Sequence, residues 1–201
     1  MKILGICCSP RKGGSSFHAL KRCLEAAEAV DVTVETGIVE LAGRDIRPCV
    51  ACGYCKEHGL ECSINDDFSD IIPTLADAET AGMIIATPVY FGSMTAQCKA
   101  LIDRCVMFRR NGWLFRDRVG GVLAVGGVRN GGQELTNDAV RAALLCQDMI
   151  CVSDGKPTAH FGATLHNLPE GGVDADAIGM ETAENLGRRV AEVALKLRGT
   201  P

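Results

Sequence analysis

Two patterns of apolar and polar residues alternate along this chain. Short runs rich in apolar or β-branched residues predict five strands, at residues 2–7, 32–41, 83–90, 121–125 and 149–152. Apolar residues at helical spacing predict helices between and after these strands, at residues 17–30, 67–77, 94–107, 133–146 and 176–197. Several strand segments are apolar almost throughout, which is typical of parallel strands covered by helices on both faces.

This alternation predicts an α/β fold. Parallel strands joined by helices require right-handed crossovers, and such crossovers produce a doubly wound sheet. In a chain of 201 residues, five strands fit a flavodoxin-like parallel sheet better than a full dinucleotide-binding sheet. We therefore expect one domain over residues 1–201, interrupted by a cysteine-rich loop at residues 48–65, with ligands at the carboxyl ends of the strands.

Charge and hydropathy argue against two classes of partner. The formal net charge is −4 and the sequence pI is about 5.6, so there is no cationic excess to attract nucleic acid or an anionic membrane surface. No apolar stretch approaches the length of a membrane span, and the first residues lack a signal-peptide cleavage region. These features predict a cytoplasmic protein.

The loop after the first strand carries the residues that suit an anion. Residues 9–16 read Ser-Pro-Arg-Lys-Gly-Gly-Ser-Ser and lead into the first helix. The glycines let backbone N–H groups curl inward, the serines offer hydroxyl donors, and the helix N-terminus adds partial positive charge. The nucleotide-triphosphate motif and the G-x-G-x-x-G motif are both absent, so the phosphate of FMN fits better than ATP or NAD. On this segment alone, a turn that only caps the helix is an equal alternative.

Two later loops could border a flat ring. Residues 87–94, after the third strand, are apolar and aromatic, and residues 126–133, after the fourth strand, are rich in glycine and contain Arg129. Backbone amides and Arg129 could stabilise negative charge on a reduced flavin. Core packing of Tyr90 and Phe91, or a solvated Arg129, remains the alternative for each residue by itself.

The segments SPRKGGSS at residues 9–16, TPVYFGSMTAQCKALIDR at 87–104 and GGVRNGGQE at 126–134 resemble the NADPH-dependent FMN reductase and iron-sulfur flavoprotein family. The resemblance covers nearly the whole chain, including HFGA at residues 160–163 and ENLGR at 184–188. It implies an FMN phosphate held by the first loop and an isoalloxazine ring bordered by the other two. The FMN-binding residues implied in this way are Ser9, Arg11, Gly14, Ser15, Ser16, Pro88, Val89, Tyr90, Phe91, Gly92, Gly127, Arg129, Gly131 and Gly132.

Four closely spaced cysteines are the most specific signal in the sequence. They are Cys49, Cys52, Cys55 and Cys62, and glycines between them allow the loop to wrap a centre. Four thiolates in one loop suit a single 4Fe-4S cluster, and no second run exists to hold another. Zinc ranks lower because structural zinc usually takes two ligands from each of two separated knuckles. The resemblance strengthens the cluster assignment, and free or redox-active thiols remain the plainer alternative.

The other cysteines have a structural explanation. The total of eleven is odd and the chain is not small, so a disulfide framework is a poor explanation. The seven cysteines outside the loop fall in predicted strands or helices, where we expect small buried hydrophobic residues. They are Cys7, Cys8, Cys23, Cys98, Cys105, Cys146 and Cys151. His58, inside the loop, is expected to be solvated.

A flavin beside a cluster predicts electron transfer, because a flavin accepts electron pairs and a cluster passes single electrons. The leading hypothesis is an oxidoreductase that connects a donor, ferredoxin or NAD(P)H, to a small acceptor such as dioxygen, peroxide or a quinone, without a general acid or base. One alternative is an NAD(P)H-dependent FMN or quinone reductase without a cluster, in which Arg109, Arg110, Arg116 or Arg118 receives the 2′-phosphate. The other is a non-catalytic electron carrier or thiol redox sensor. The resemblance also implies a homodimer or homotetramer in which residues 109–118, with Trp113, form a lid.

Overall fold

The computed structural model describes residues 1–199 and contains one parallel sheet. Its strands are β1 (Lys2–Cys7), β2 (Glu35–Glu40), β3 (Thr80–Pro88), β4 (Val119–Gly126), β5 (Ile150–Cys151) and β6 (Ala163–His166). The strand order is β2-β1-β3-β4-β5, and β6 also pairs with β4. The predicted doubly wound α/β architecture is therefore confirmed. Residues 200 and 201, the last of the predicted single domain, lie outside the described residues.

The fifth strand position differs from the prediction, which placed one strand at residues 149–152. Here β5 pairs with the start of β4, with Val119 opposite Ile150, and β6 pairs with its end, with Gly126 opposite His166. The strand at this edge is therefore in two pieces, joined by residues 152–162. The apolar pattern of the sequence does not predict β6, because buried residues alternate in it with half-buried polar ones and its four residues form no apolar run.

Helices cover both faces of the sheet. They are α1 (Ser15–Glu28), α2 (Tyr54–Glu57), α3 (Phe68–Ala76), α4 (Ala96–Arg104), α5 (Val106–Arg110), α6 (Gln133–Leu145) and α7 (Ala177–Arg198). The helix predicted over residues 94–107 is two helices, because α4 ends at Arg104 and Cys105 separates it from α5. The short α2 lies inside the cysteine loop, where no helix was predicted.

The alternating side chains of the strands build two separate cores. Leu4 and Ile6 of β1 face the layer formed by α3, α4, α5 and α6, whereas Ile3 and Cys7 face α1 and α7. Gly187 allows α1 and α7 to touch, because a Cβ atom there would lie 1.8 Å from the carbonyl oxygen of Cys23. No helix within residues 1–199 combines the length and the apolar character needed to cross a membrane.

Candidate functional site

A cleft of about 210 Å³ lies at the carboxyl ends of β1, β3 and β4. Parallel sheets place their loops together at this edge, which is where ligands of doubly wound folds bind. All three loops that were predicted to contact a flavin contribute to it. The lining residues are Ser9, Arg11, Gly14, Ser15, Ser16, Pro88, Val89, Tyr90, Val125, Gly126, Gly127 and Asn167.

The first loop presents donors to this cleft. The backbone N–H of Arg11 donates to Ser9 Oγ at 3.1 Å, which fixes the start of the turn. Gly14 precedes α1 and has no side chain to cap it, so the first N–H groups of the helix are available to an anion. Gly13 has a positive φ of 59°, a conformation that favours glycine, and its N–H donates to Glu40 Oε1 at 2.7 Å.

Asn167 is a cleft residue that was not predicted from the sequence. It directly follows β6, and its Oδ1 accepts a hydrogen bond from Ser15 Oγ at 2.5 Å. The bond connects the loop after β1 to the loop after β6. Asn167 could not be recognised as a cleft residue because β6 itself was not predicted. A strand ending at His166 would have placed Asn167 at the ligand-binding edge of the sheet.

Several predicted flavin-binding residues lie outside the cleft. Phe91 is fully exposed at the tip of a turn in which the backbones of Tyr90 and Ser93 pair at 2.8 and 3.1 Å. Gly92 and Gly132 instead bring the second and third loops together, because a Cβ atom on Gly132 would lie 3.1 Å from the Cα of Gly92. Gly131 packs against Val128, whose carbonyl oxygen lies 2.8 Å from the position of an added Cβ.

Arg129 is also placed away from the cleft, in a neighbouring cavity of about 420 Å³ that His166 also lines. Its Nη2 donates to Asp176 Oδ1 at 2.7 Å, and the same carboxylate accepts backbone N–H groups of His166 and Gly179 at 2.7 and 3.2 Å. Burial acts to raise the pKa of Asp176, but these hydrogen bonds outweigh it and hold the pKa below its usual value. Arg129 therefore ties the third loop to the start of α7.

The four loop cysteines surround one small cavity of about 20 Å³. All four are free thiols; Cys52 is exposed and the other three are partly buried. Positive φ angles at Ala51, Gly53 and Gly59 turn the backbone around this cavity. Within residues 1–199, no three His, Cys, Asp or Glu side chains are gathered tightly enough to hold a metal ion. The four thiols therefore lie near one another, but they do not converge on one point where a metal ion could bind.

Two polar anchors hold this loop to the domain. Asn111 Nδ2 donates to the carbonyl oxygens of Cys55 and Gly59 at 2.9 and 3.0 Å. Below the loop, the guanidinium of Arg104 binds both carboxylate oxygens of Asp66 at 2.8 and 3.1 Å and the carbonyl of Arg47 at 2.9 Å. The side chains of Arg104 and Asp66 are almost completely buried, so this pair joins the base of the loop to α4.

Hydrogen-bond donors face the loop thiols. Arg110 Nη1 lies 3.4 Å from Cys55 Sγ, and the backbone N–H of Ala51 donates to Cys49 Sγ at 3.4 Å. Cys52 Sγ lies 3.2 Å from Ser63 Oγ, and this contact is the main cause that lowers the pKa of the Cys52 thiol. Donors of this kind favour the thiolate, the form that binds metal. Four free thiols with donors around one cavity fit a thiolate-bound cluster in number and chemistry.

Comparison with known proteins decides the family. The model of the NADPH-dependent FMN reductase family matches residues 1–164 of this chain. The chain belongs to this family. An iron-sulfur flavoprotein of Methanocaldococcus jannaschii is 42% identical over 193 residues, which cover 96% of this chain and 97% of that protein. An iron-sulfur flavoprotein of Methanosarcina thermophila is 37% identical over 193 residues, covering 96% of this chain and 95% of the relative.

Solved structures agree with the flavodoxin-like fold. A WrbA-like flavodoxin from Agrobacterium tumefaciens has a TM-score of 0.67 at 16% identity and covers 97% of this chain and 98% of its own. RosB with a bound riboflavin-phosphate intermediate has a TM-score of 0.75 at 16% identity, covering 100% of this chain and 81% of its own. Such distant likeness shows the fold alone. Membership of the FMN reductase family makes the chain a flavin-dependent oxidoreductase.

The remaining cysteines of this FMN reductase family member are mostly structural, as predicted. Cys7, Cys8, Cys23, Cys98 and Cys105 are buried. Burial raises the pKa of Cys7 to about 11 and that of Cys105 to about 12, so these thiols stay protonated. The prediction was wrong for Cys146, which is exposed because it caps the C-terminus of α6, beyond the buried face of the helix. Cys151 is half-buried.

The arginines suggested for a 2′-phosphate have separate environments. Arg118 is buried, and its guanidinium donates to the carbonyls of Leu75 and Asp77 at 2.9 Å each, so it is not available to a ligand. Arg116 pairs with Asp148 at 3.3 Å on the surface. Arg109 and Arg110 line a cavity beside the cysteine loop that shares no lining residue with the cleft. Within the loop, His58 is exposed, as predicted, and stacks on Tyr54 with ring centroids 3.8 Å apart.

Proposed function

We propose that this flavin-dependent oxidoreductase binds FMN in the cleft and a 4Fe-4S cluster on Cys49, Cys52, Cys55 and Cys62. It transfers electrons between a donor, ferredoxin or NAD(P)H, and a small acceptor such as dioxygen, peroxide or a quinone. One observation carries the proposal: four free thiols surround a single cavity in a chain that is similar over its length to iron-sulfur flavoproteins. A bound flavin supplies two-electron and one-electron chemistry, and a cluster supplies one-electron transfer.

Different residues of the cleft would bind different parts of the flavin. Ser9, Ser16, the backbone N–H of Ser15 and the other first N–H groups of α1 would hold the phosphate, and Arg11 would offset its charge. The residues at the ends of β3 and β4 would border the ring: Pro88, Val89, Tyr90 and Gly127. Asn167 holds Ser15 in position through the hydroxyl that donates to it. No side chain is required to move a proton.

The cysteine loop would hold the cluster through its four thiolates. Arg110 and the N–H of Ala51 already contact sulfur atoms, so they would stabilise negative charge on the ligands. Binding requires the loop to open and rearrange around the cluster, since the cavity of about 20 Å³ has room for little more than one water molecule. Gly53 and Gly59 give the backbone the freedom for this rearrangement, while Asn111 keeps the loop attached to α5.

A reductase without a cluster is the second candidate. The observation that favours it is that, within residues 1–199, no three His, Cys, Asp or Glu side chains lie close enough together to hold a metal ion. In that case NAD(P)H would reduce FMN in the same cleft, and the loop would carry ordinary thiols. The two candidates differ in the iron and sulfide that the purified protein contains.

A homodimer or homotetramer is also part of the proposal. Phe91 is fully exposed beside the cleft, Tyr90 and Val128 are exposed near it, and Trp113 is exposed in the segment suggested as a lid. Association of two chains through this region would bury apolar surface and shield the flavin from water. Light scattering should give at least twice the mass of 21.3 kDa for the native chain, and a smaller mass for the Phe91→Asp variant.

The proposal is tested by anaerobic purification followed by assay of flavin, iron and acid-labile sulfide per chain. We expect one flavin with about four irons and four sulfides. Cys49→Ala should lose the iron and sulfide and keep the flavin. Cys146→Ala removes an exposed thiol outside the loop and should keep all three. Flavin without iron or sulfide in the native protein would establish the reductase without a cluster.

A further inference from the structure

A second cavity, of about 440 Å³, lies beside the cysteine loop. Its volume is within the range of small-molecule sites. Cys49 and Ala51 form one wall, and α4, α5 and the C-terminal end of α6 contribute the others. It shares no lining residue with the flavin cleft, so a ligand here would occupy a separate site.

The lining of this cavity combines apolar side chains with cations. Ile102, Val106 and Ala143 provide apolar surface, and Lys99, Arg109 and Arg110 provide positive charge. The single carboxylate, Asp103, pairs with Lys99 at 2.6 Å and so neutralises that cation. The two arginines are the charges that remain.

Neither Arg109 nor Arg110 forms an ion pair with an Asp or Glu side chain in the part of the chain that the structure describes. Arg109 Nη1 donates to the carbonyl oxygen of Cys146 at 2.8 Å, and its guanidinium stacks 4.5 Å from the ring centre of Trp113. Arg110 Nη1 donates to a thiol, Cys55 Sγ, at 3.4 Å. Two guanidinium groups facing an apolar cavity favour an anion, because a carboxylate or sulfonate accepts paired N–H donors from arginine.

We propose that this cavity is a binding site for a small amphipathic anion, a molecule with an apolar, preferably aromatic body and one carboxylate or sulfonate. The body lies against Ile102, Val106 and Ala143, and the anionic group binds Arg109 and Arg110. The bound molecule touches Cys49 and Ala51, so it lies against the cysteine loop. The cavity is present with the loop thiols free, so the site does not require a cluster.

Calorimetric titration of the native protein with naphthalene-2-carboxylate tests the site, with naphthalene-2-carboxamide as the uncharged analogue. We expect one carboxylate per chain, bound at least tenfold more tightly than the amide and more weakly as ionic strength rises. Ala143→Phe fills the cavity and should abolish binding. Ala142→Phe places the same ring on the exposed neighbour in α6 and should not change it.

The charged groups are tested one at a time. Arg109→Gln and Arg110→Gln should each weaken binding about tenfold, since each removes a hydrogen bond to a charged group. Arg22→Gln changes the net charge equally on α1, across the sheet, and should have no effect. Flavin content and circular dichroism confirm that each variant is folded. No binding by the native protein, or binding that Ala143→Phe leaves intact, would overturn the proposal.

Discussion

The flavin cleft and the cysteine loop are built in different ways. The cleft is formed where β1, β3 and β4 end, so the sheet itself brings its three loops together. The cysteine loop lies between β2 and α3, outside the sheet, and is attached by Asn111 and by the Arg104–Asp66 pair. In the cleft, ligand-facing groups already share a cavity of about 210 Å³, whereas the four thiols enclose about 20 Å³.

This difference separates a site made by the fold from a site completed by its ligand. Backbone N–H groups at the start of α1 point to the cleft whatever the ligand does, because the helix fixes them. Thiolates on a loop repel one another when charged, so a positively charged centre is needed to gather them. We therefore expect changes at the base of the loop to affect folding, and changes in the cleft to affect mainly flavin affinity.

The largest effect is expected from Arg104→Ala at the base of the cysteine loop. It leaves the carboxylate of Asp66 buried without its partner, which should lower the free energy of unfolding by about 3–5 kcal/mol. Urea denaturation measures this change. Arg22→Ala, which breaks an exposed pair with Glu184, is the matched control and should cost no more than about 1 kcal/mol. Equal losses in the two variants would contradict the anchoring role of Arg104.

A smaller effect is expected at Asp176, which ties Arg129 and the third loop to the start of α7. Asp176→Asn should lower the free energy of unfolding by about 1–3 kcal/mol at pH 7, because the hydrogen bonds to a charged group weaken. The folded-state pKa of Asp176 lies below the ordinary value of 3.8, so its contribution is present above that pH. It is lost as the pH falls through the folded-state pKa.

Denaturation of the native chain and of Asp176→Asn across this pH range gives the difference directly. The two stabilities should converge in acid and separate as the pH rises. Asp174→Asn, at an exposed carboxylate beside His18, is the control and should show a difference near zero at pH 7. A difference in the free energy of unfolding between the native chain and Asp176→Asn that grows as the pH falls would contradict a lowered pKa of Asp176.

The smallest effect is expected from Ser15→Ala in the cleft. It removes the hydroxyl that bonds Ser15 to Asn167, a contact inside the protein worth about 1 kcal/mol, so the free energy of unfolding should fall by about that amount. FMN affinity should fall by at most about fivefold, the same free energy, because FMN binding must then order the first loop. Equilibrium dialysis of the flavin-free protein against FMN measures the affinity. Thr33→Ala, at an exposed hydroxyl bonded to Asp31, should leave FMN binding unchanged. A loss of stability in Ser15→Ala as large as that in Arg104→Ala would contradict the difference between the cleft and the cysteine loop.

Much of the fold could be predicted from apolar patterning. β1 covers the predicted residues because it is a continuous apolar run, and α6 begins at the predicted Gln133 because apolar residues recur in it at helical spacing. The split strand position could not be predicted, since pairing with β4, and not an apolar run, defines β6. Asn167 was missed for the same reason.

The candidate site could be predicted only in part from the sequence. Loop order placed Ser9, Pro88 and Gly127 at one edge of the sheet, because strand ends meet there. Loop order does not say which way a side chain turns, so it did not separate Tyr90, in the cleft, from Phe91, in solvent. The direction of Arg129 depends on Asp176, which is distant in sequence and therefore gave no local signal.

The most direct test compares two variants, one in each region, by iron and flavin per chain after anaerobic purification. Cys52→Ala should bind flavin but no iron. Gly127→Val, at a position with open space around an added Cβ, should keep its iron and lose most of its flavin. Loss of iron alone in Cys52→Ala and of flavin alone in Gly127→Val would establish a metal site in the cysteine loop and a separate flavin site in the cleft. Iron retained by Cys52→Ala at the native level would contradict the assignment of the cysteine loop.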